Sequence, residues 1–138
     1  MATALADLRI VEWGELVSAA FCTKLLADLG AQVVKVEPPG GDPARAYGPF
    51  PNDEPHPERS GLFLNLNTNK SGEVLDPNTG ADHERIRELL RGADVLVTNY
   101  PRLTVERAGL SYEQLRSDFP RLVYCHLTPF GLEGPYRD

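Results

Sequence analysis

The order of short β-branched runs and helical patterns along the chain predicts an α/β domain with a mainly parallel sheet and flanking helices. Two stretches carry that expectation. A strand, a helix and a second strand succeed one another over residues 8–37, and a charged helix pattern followed by an apolar strand recurs from residue 82 onward. Composition agrees: 138 residues, 41% hydrophobic and 25% charged, suffice for one compact core but not for two, and are ordinary for a globular chain in water.

Residues 8–13 (LRIVEW) are an apolar run that suits a buried strand. Phe21, Leu25 and Leu29, with Ala20 and Leu26 beside them, then recur at spacings of three and four, and Gly30 stands where a helix C-terminal glycine belongs. Residues 32–37 (QVVKVE) give a second strand that Pro38, Pro39, Gly40 and Gly41 end at once. This is a βαβ unit with parallel strands and a right-handed crossover. Residues 38–60 hold seven of the twelve prolines, which predicts a surface loop longer than most connections, of a kind that is often functional. Strands are expected at 62–66 (LFLNL) and 72–76 (GEVLD), with a turn over 67–70. A charged helix over 82–91 turns Ile86, Leu89 and Leu90 inward, and 93–98 (ADVLVT) is the next strand. Two short helices follow at 104–108 and 111–119, the second with Ser111 as N-cap and Gln114 at the capping-box position. Residues 122–127 (LVYCHL) are the last strand, and 128–138 read as a Gly/Pro-rich loop.

Fourteen Lys and Arg against twenty Asp and Glu give a net charge of -6, which argues against sequence-independent binding to nucleic acid or to an anionic membrane. No apolar run approaches the ~20 residues of a spanning helix, and no signal-peptide pattern opens the chain. Cys22 and Cys125 make neither a disulfide framework nor a zinc motif, so a reducing cytoplasm is the expected setting. The census of Cys, His and carboxylates leaves no metal site. Cys125 and His126 are adjacent, yet neighbours on a strand face opposite ways and cannot form a thiol–base dyad. Cys22 reads as a core residue and His56 and His83 as solvated ones. Neither GxGxxG nor GxxxxGK[ST] occurs, so the turn from the first strand into its helix (residues 14–19) is either a plain structural turn or a phosphate cradle of unpaired amides. Glu37, ending the second strand, could accept a ribose hydroxyl or be structural.

Four segments, taken in order, carry a family likeness: FCTKLLADLGAQVVKVEPPGGDPARAYGP (21–49), FLNLNTNK (63–70), ADVLVTNYPRLTVERAGLSYEQL (93–115) and PRLVYCHLTPFGLEGPY (120–136). Together they resemble the N-terminal portion of a class III CoA-transferase, the family that also holds carnitine-type CoA-transferases and 2-methylacyl-CoA racemases. The resemblance implies a Rossmann-like fold, incomplete as it stands, in which residues 1–138 are part of a large CoA-binding domain. It implies an enzyme that moves CoA between an acyl-CoA and a carboxylic acid, with the CoA thioester as substrate and no cofactor bound permanently. Carried over residue by residue, the CoA contacts fall on Glu15, Leu16, Val17 and Ser18, then on Leu75, on Asn99 and Tyr100, and on Arg107.

The departures are specific. Ala19 and Ala20 replace the family's Gly-Pro pair, Pro38 replaces a basic residue, and Asn78 and Thr128 stand where some members place lysines. The family's nucleophilic aspartate follows the FGxxGPY segment at a distance that Asp138 does not reach, so no catalytic residue is assigned here. The racemase branch keeps its His and Asp pair beyond the same point. The alternatives are thus a part of a racemase-type enzyme, or a non-catalytic α/β module that binds CoA or a partner chain. Members of the family are interlocked homodimers, which implies a second copy or a complementing chain as partner.

Overall fold

A computed structural model describes residues 3–137. Its centre is a five-stranded, fully parallel sheet in the order β3-β2-β1-β4-β5. The strands are β1 Arg9–Trp13, β2 Gln32–Glu37, β3 Lys70–Val74, β4 Val95–Thr98 and β5 Val123–His126. The helices are α1 Ser18–Asp28, α2 Gly61–Leu66, α3 Gly80–Arg91, α4 Arg102–Arg107 and α5 Tyr112–Leu115. The predicted α/β, Rossmann-like architecture is therefore the observed one. β1 lies between its two partners, with Ile10 opposite Val33 on one side and Val95 on the other.

Strand alternation divides the core into two clusters. Val11, Trp13, Val36 and Leu96 face Ile86, Leu90, Val105, Leu110 and Leu115, so α3, α4 and α5 cover that side. Ile10, Val33 and Val97 face Ala19, Ala27 and Ala31, so α1 covers the other.

Four elements differ from the sequence reading. Residues 61–66 form helix α2 and not a strand. Ser60 caps it, its Oγ accepting the Phe63 N–H at 3.1 Å, and only Phe63 and Leu66, three residues apart, are buried. A short apolar run has no period of its own, and the cap decides. Strand β3 runs from 70 to 74, two residues early, because the left-handed Asn69 ends the turn and Lys70 enters the sheet opposite Val33. In α1 the large apolar residues face outward: Phe21, Leu25 and Leu29 are about half exposed, while Ala19, Ala20, Thr23 and Ala27 are buried. Small side chains let the helix approach the sheet closely, and the periodic stripe is left on the surface. The expected helix at 111–119 is also shorter, ending at Leu115.

The 38–60 loop is tied down. Both oxygens of Glu37 accept from Arg45, Nε to Oε2 and Nη2 to Oε1, each at 2.8 Å, and the Arg45 guanidinium lies over the Phe63 ring at 3.6 Å. Glu37 thus has a structural role in holding the loop. Burial alone would raise its pKa, but the Arg45 hydrogen bonds, the Asp42 amide and the charges of Arg45 and Lys35 together outweigh burial and hold it below the usual value. Ser60 Oγ also lies 2.8 Å from the Ala44 carbonyl oxygen. Ser60→Ala is expected to cost about 1–2 kcal/mol, the value of a lost N-cap with a buried hydroxyl. A thermal melt checks it, and an unchanged melting temperature refutes the capping role.

Candidate functional site

In an open parallel sheet, ligands bind outside the carboxyl ends of the strands, where successive connections leave to opposite faces. That point here lies between β1 and β4. β1 leads to α1 on one side of the sheet, and β4 leads to α4 on the other.

The β1–α1 loop is built around Gly14. A Cβ there would sit 2.6 Å from Asn99 Oδ1 and 2.7 Å from the Ala19 Cβ, so only glycine allows this approach. Asn99, just past β4, spends its whole amide on the loop. Its Oδ1 accepts the Glu15 N–H at 2.9 Å, and its Nδ2 donates to the Glu15 carbonyl at 2.8 Å and to Ser18 Oγ at 2.9 Å. Leu16 adopts φ 56°, and its N–H donates to Asp42 Oδ1 at 3.0 Å. Val17 and Ser18 are exposed, and Glu15 and Leu16 are half-buried.

Tyr100 is half-buried, its ring tilted against Trp13 with centroids 4.7 Å apart. Burial, then the charge of Glu15, pushes its phenol well above the ordinary value. Leu75 is buried in the same core cluster against which Tyr100 packs. Arg107 is exposed at the end of α4. The structure thus brings Glu15, Leu16, Val17, Ser18 and Asn99 into one contact set. Tyr100 and Leu75 join it through the core, and Arg107 stands at a helix end.

The sequence reading missed a buried ionic network beneath this loop. Glu12 is fully buried, with Oε1 2.7 Å from Lys35 Nζ, Oε2 2.8 Å from Lys70 Nζ, and Oε2 accepting from Thr23 Oγ1 at 2.5 Å. Lys35 Nζ also reaches the Gly14 carbonyl at 3.2 Å and lies 2.8 Å from Asp42 Oδ2. That Asp42 oxygen has Lys35 as its charged partner. Burial depresses the pKa of Lys35, but the facing Glu12 and Asp42 outweigh burial and raise it overall. For Lys70 burial wins and the pKa falls. A signal was present: a Glu inside one apolar strand and a Lys inside the next occupy inward positions that period-two alternation already specifies.

Glu15 is shifted the other way from a paired carboxylate. Burial, then the Asp42 charge, raises its pKa above 4.5. A raised carboxylate pKa means that the ionised form opposes folding at neutral pH, and that the penalty disappears as pH falls below the unfolded value. Glu15→Gln is therefore expected to melt higher than the parent at pH 7, with the difference gone below about pH 4.5. Parallel melts at the two pH values test this. A difference that persists at the acid end rules out the electrostatic origin.

Cys125 packs into the α1-side cluster, as does Cys22. His126 turns to the opposite face, its Nε2 2.7 Å from the Tyr100 carbonyl oxygen, so the adjacent pair diverges as the strand geometry requires. Among the described residues no group of three or more His, Cys, Asp or Glu could hold a metal ion. A cavity of about 230 Å³ lined by Tyr112, Leu115, Arg116, Phe119, Pro120, Leu122 and Tyr124 shares no residue with the β1–α1 loop.

Comparison with known proteins supplies the context for this loop. The model of CoA-transferase family III matches residues 5–138. A succinyl-CoA:mesaconate CoA-transferase of Haloarcula hispanica is 41% identical over 128 residues, covering 93% of this chain and 32% of that protein. A succinate–glutarate CoA-transferase of Agrobacterium fabrum is 38% identical over 137 residues, covering 97% of this chain and 34% of that protein. The solved structure of a CAIB/BAIF family protein from Brucella suis has a TM-score of 0.89 at 34% identity, covering 99% of this chain and 36% of that one. The chain spans about a third of the length of the curated relatives it matches. With the family model matched over nearly the whole sequence and the same fold found in a solved relative, the chain belongs to CoA-transferase family III.

Proposed function

We propose that this chain supplies a CoA-binding part of an enzyme that moves CoA between an acyl-CoA thioester and a small carboxylic acid. The observation that carries the reading is the β1–α1 loop, fastened across the sheet's switch point by the Asn99 amide. Glu15, Leu16, Val17 and Ser18 would meet the CoA backbone, with the exposed Val17 side chain offering an apolar contact and the exposed Ser18 a polar one. Tyr100 and Leu75 would form the floor on the Trp13 side. The exposed guanidinium of Arg107 suits a phosphate, which it can grip with two parallel hydrogen bonds. Asn99 serves through the loop, since its amide already has three partners.

Asp42, the buried acid at this edge, is engaged by Leu16, Ala44 and Lys35 and is not free to attack. The attacking carboxylate is assigned to a further segment or a complementing chain, as the family likeness implies. The outward stripe of Val17, Phe21, Leu25 and Leu29 on α1 supports an assembly that covers it, because contiguous apolar surface on a folded domain marks a contact. An interlocked homodimer meets that need. The free thiols of Cys22 and Cys125 suit a cytoplasmic setting.

Calorimetric titration with CoA tests the binding half, where saturable heat is expected and its absence at millimolar CoA removes the reading. Exchange of label between an acyl-CoA and its free acid tests the other half. The 138-residue chain alone is expected to show none, and activity from it would place the nucleophile within the chain.

A further inference from the structure

We infer that Asp42 is a positioning residue for the β1–α1 loop, holding Leu16 in the left-handed conformation that shapes the segment proposed to contact CoA. Asp42 is 2% exposed, and its carboxylate divides its contacts between two loops. Oδ1 accepts the N–H of Leu16 at 3.0 Å and of Ala44 at 2.8 Å, and Oδ2 lies 2.8 Å from Lys35 Nζ. The Asp42 amide donates to Glu37 Oε2 at 3.0 Å, and Glu37 is itself gripped by Arg45. The residue is thus fixed from behind and turns one oxygen to Leu16.

Leu16 needs such a partner. At φ 56° it occupies a region that side chains other than Gly, Asn and Asp rarely visit, and it returns to extended or helical backbone once nothing holds it. It also lies between the two residues, Glu15 and Ser18, that Asn99 grips. The loop after β1 is therefore staked from both neighbouring strands, by Asn99 beyond β4 and by Asp42 beyond β2. Lys35 couples the stakes, donating to the Gly14 carbonyl while facing Asp42. If the charged acceptor is lost, the loop spreads over several conformations, and apparent affinity falls with the population of the competent one. The ligand part of the inference rests on the CoA-binding reading, whereas the loop part does not.

The test uses Asp42→Asn and Leu16→Gly, singly and together, in the protein at its natural length. Asp42→Asn is expected to speed hydrogen exchange at the Leu16 amide at least about tenfold. CoA binding should weaken roughly ten- to hundredfold, the range for losing a hydrogen bond to a charged acceptor. Glycine adopts the left-handed region freely, so the double variant should bind CoA several-fold tighter than Asp42→Asn alone. A general structural role would lower the melting temperature without that rescue. The inference is overturned if Asp42→Asn leaves Leu16 exchange at the parent value, or if the double variant binds no better than Asp42→Asn. Should the parent fail to bind CoA, the functional reading falls, and exchange at Leu16 still decides whether Asp42 positions the loop. Should Asp42→Asn fail to fold, Leu16→Val puts the same question, since a β-branched side chain strains this φ further. Faster exchange at residue 16 supports the inference there, and unchanged exchange overturns it.

Discussion

Lys35→Met is expected to remove about 3–5 kcal/mol of folding stability, a large share of the roughly 5–15 kcal/mol that holds a domain together. Lys35 is 1% exposed and its ammonium stands between two buried acids, Glu12 at 2.7 Å and Asp42 at 2.8 Å. In the parent protein two acids and two lysines balance. Without Lys35, only Lys70 remains, and it reaches Glu12 and not Asp42 by a direct ion pair. The cost comes from the charge left without a partner, because the intact network, once its desolvation is counted, contributes little by itself. The double variant Lys35→Met, Asp42→Asn, which keeps only the paired Glu12 and Lys70, is expected to lose clearly less stability than Lys35→Met alone. Lys70 retains the Ala20 carbonyl at 2.8 Å and the Asn67 side chain at 3.0 Å.

Urea unfolding separates the cases, since a stability change moves the midpoint while the slope stays fixed. A loss under about 1 kcal/mol for Lys35→Met would show that the site admits water or a proton at little cost, contrary to the burial described. The alkaline limb gives a second reading. A lysine whose folded pKa lies above 10.5 adds stability that is full below that value and is lost as pH rises through the folded one. Lys35→Met should therefore lack that part of the parent's decline at high pH.

The same network marks how far the sequence could be read. Five of the six expected strands and the parallel character of the sheet followed from β-branched runs separated by helical patterns, since these depend on local periodicity. Gly30 ended α1 as expected, with φ 104°. Where the period does not decide, a cap or a neighbour does: residues 61–66 became a helix through the Ser60 cap, and α1 buried its alanines against the sheet. The β1–α1 loop was legible only as a turn that is either plain or a phosphate cradle, and family likeness alone turned its residues toward CoA, as it carries no phosphate-binding glycine motif. Its partners Asp42 and Lys35 were out of reach for a different reason. Asp42 acts across 26 residues on Leu16, and a side-chain-to-backbone bond over that distance leaves no periodic trace. Glu12 and Lys35 could have been paired on paper, because both point inward on adjacent strands, but that step needs the register.

Gly14→Ala is expected to damage both folding and CoA binding, by about 1–3 kcal/mol in stability and by more than that loss explains in affinity. One methyl group does it. The new Cβ would lie 2.6 Å from Asn99 Oδ1 and 2.7 Å from the Ala19 Cβ, distances at which something must move. Ala19 cannot yield easily, since it is fully buried in the first turn of α1 against the sheet. Asn99 can turn away only by giving up the bonds to Glu15 and Ser18 that fasten the loop. The clash is therefore relieved at the binding segment, and affinity falls faster than stability. Gly40→Ala is the control, because a Cβ there meets nothing within 4 Å, and it should leave melting and binding near the parent values. Combining Gly14→Ala with Asn99→Ala should be less than additive, since each alone releases the same fastening. If Gly14→Ala kept parent affinity while Asn99→Ala lost it, the loop would have another way to absorb the methyl group, and the clamp would act on CoA directly instead of through the loop.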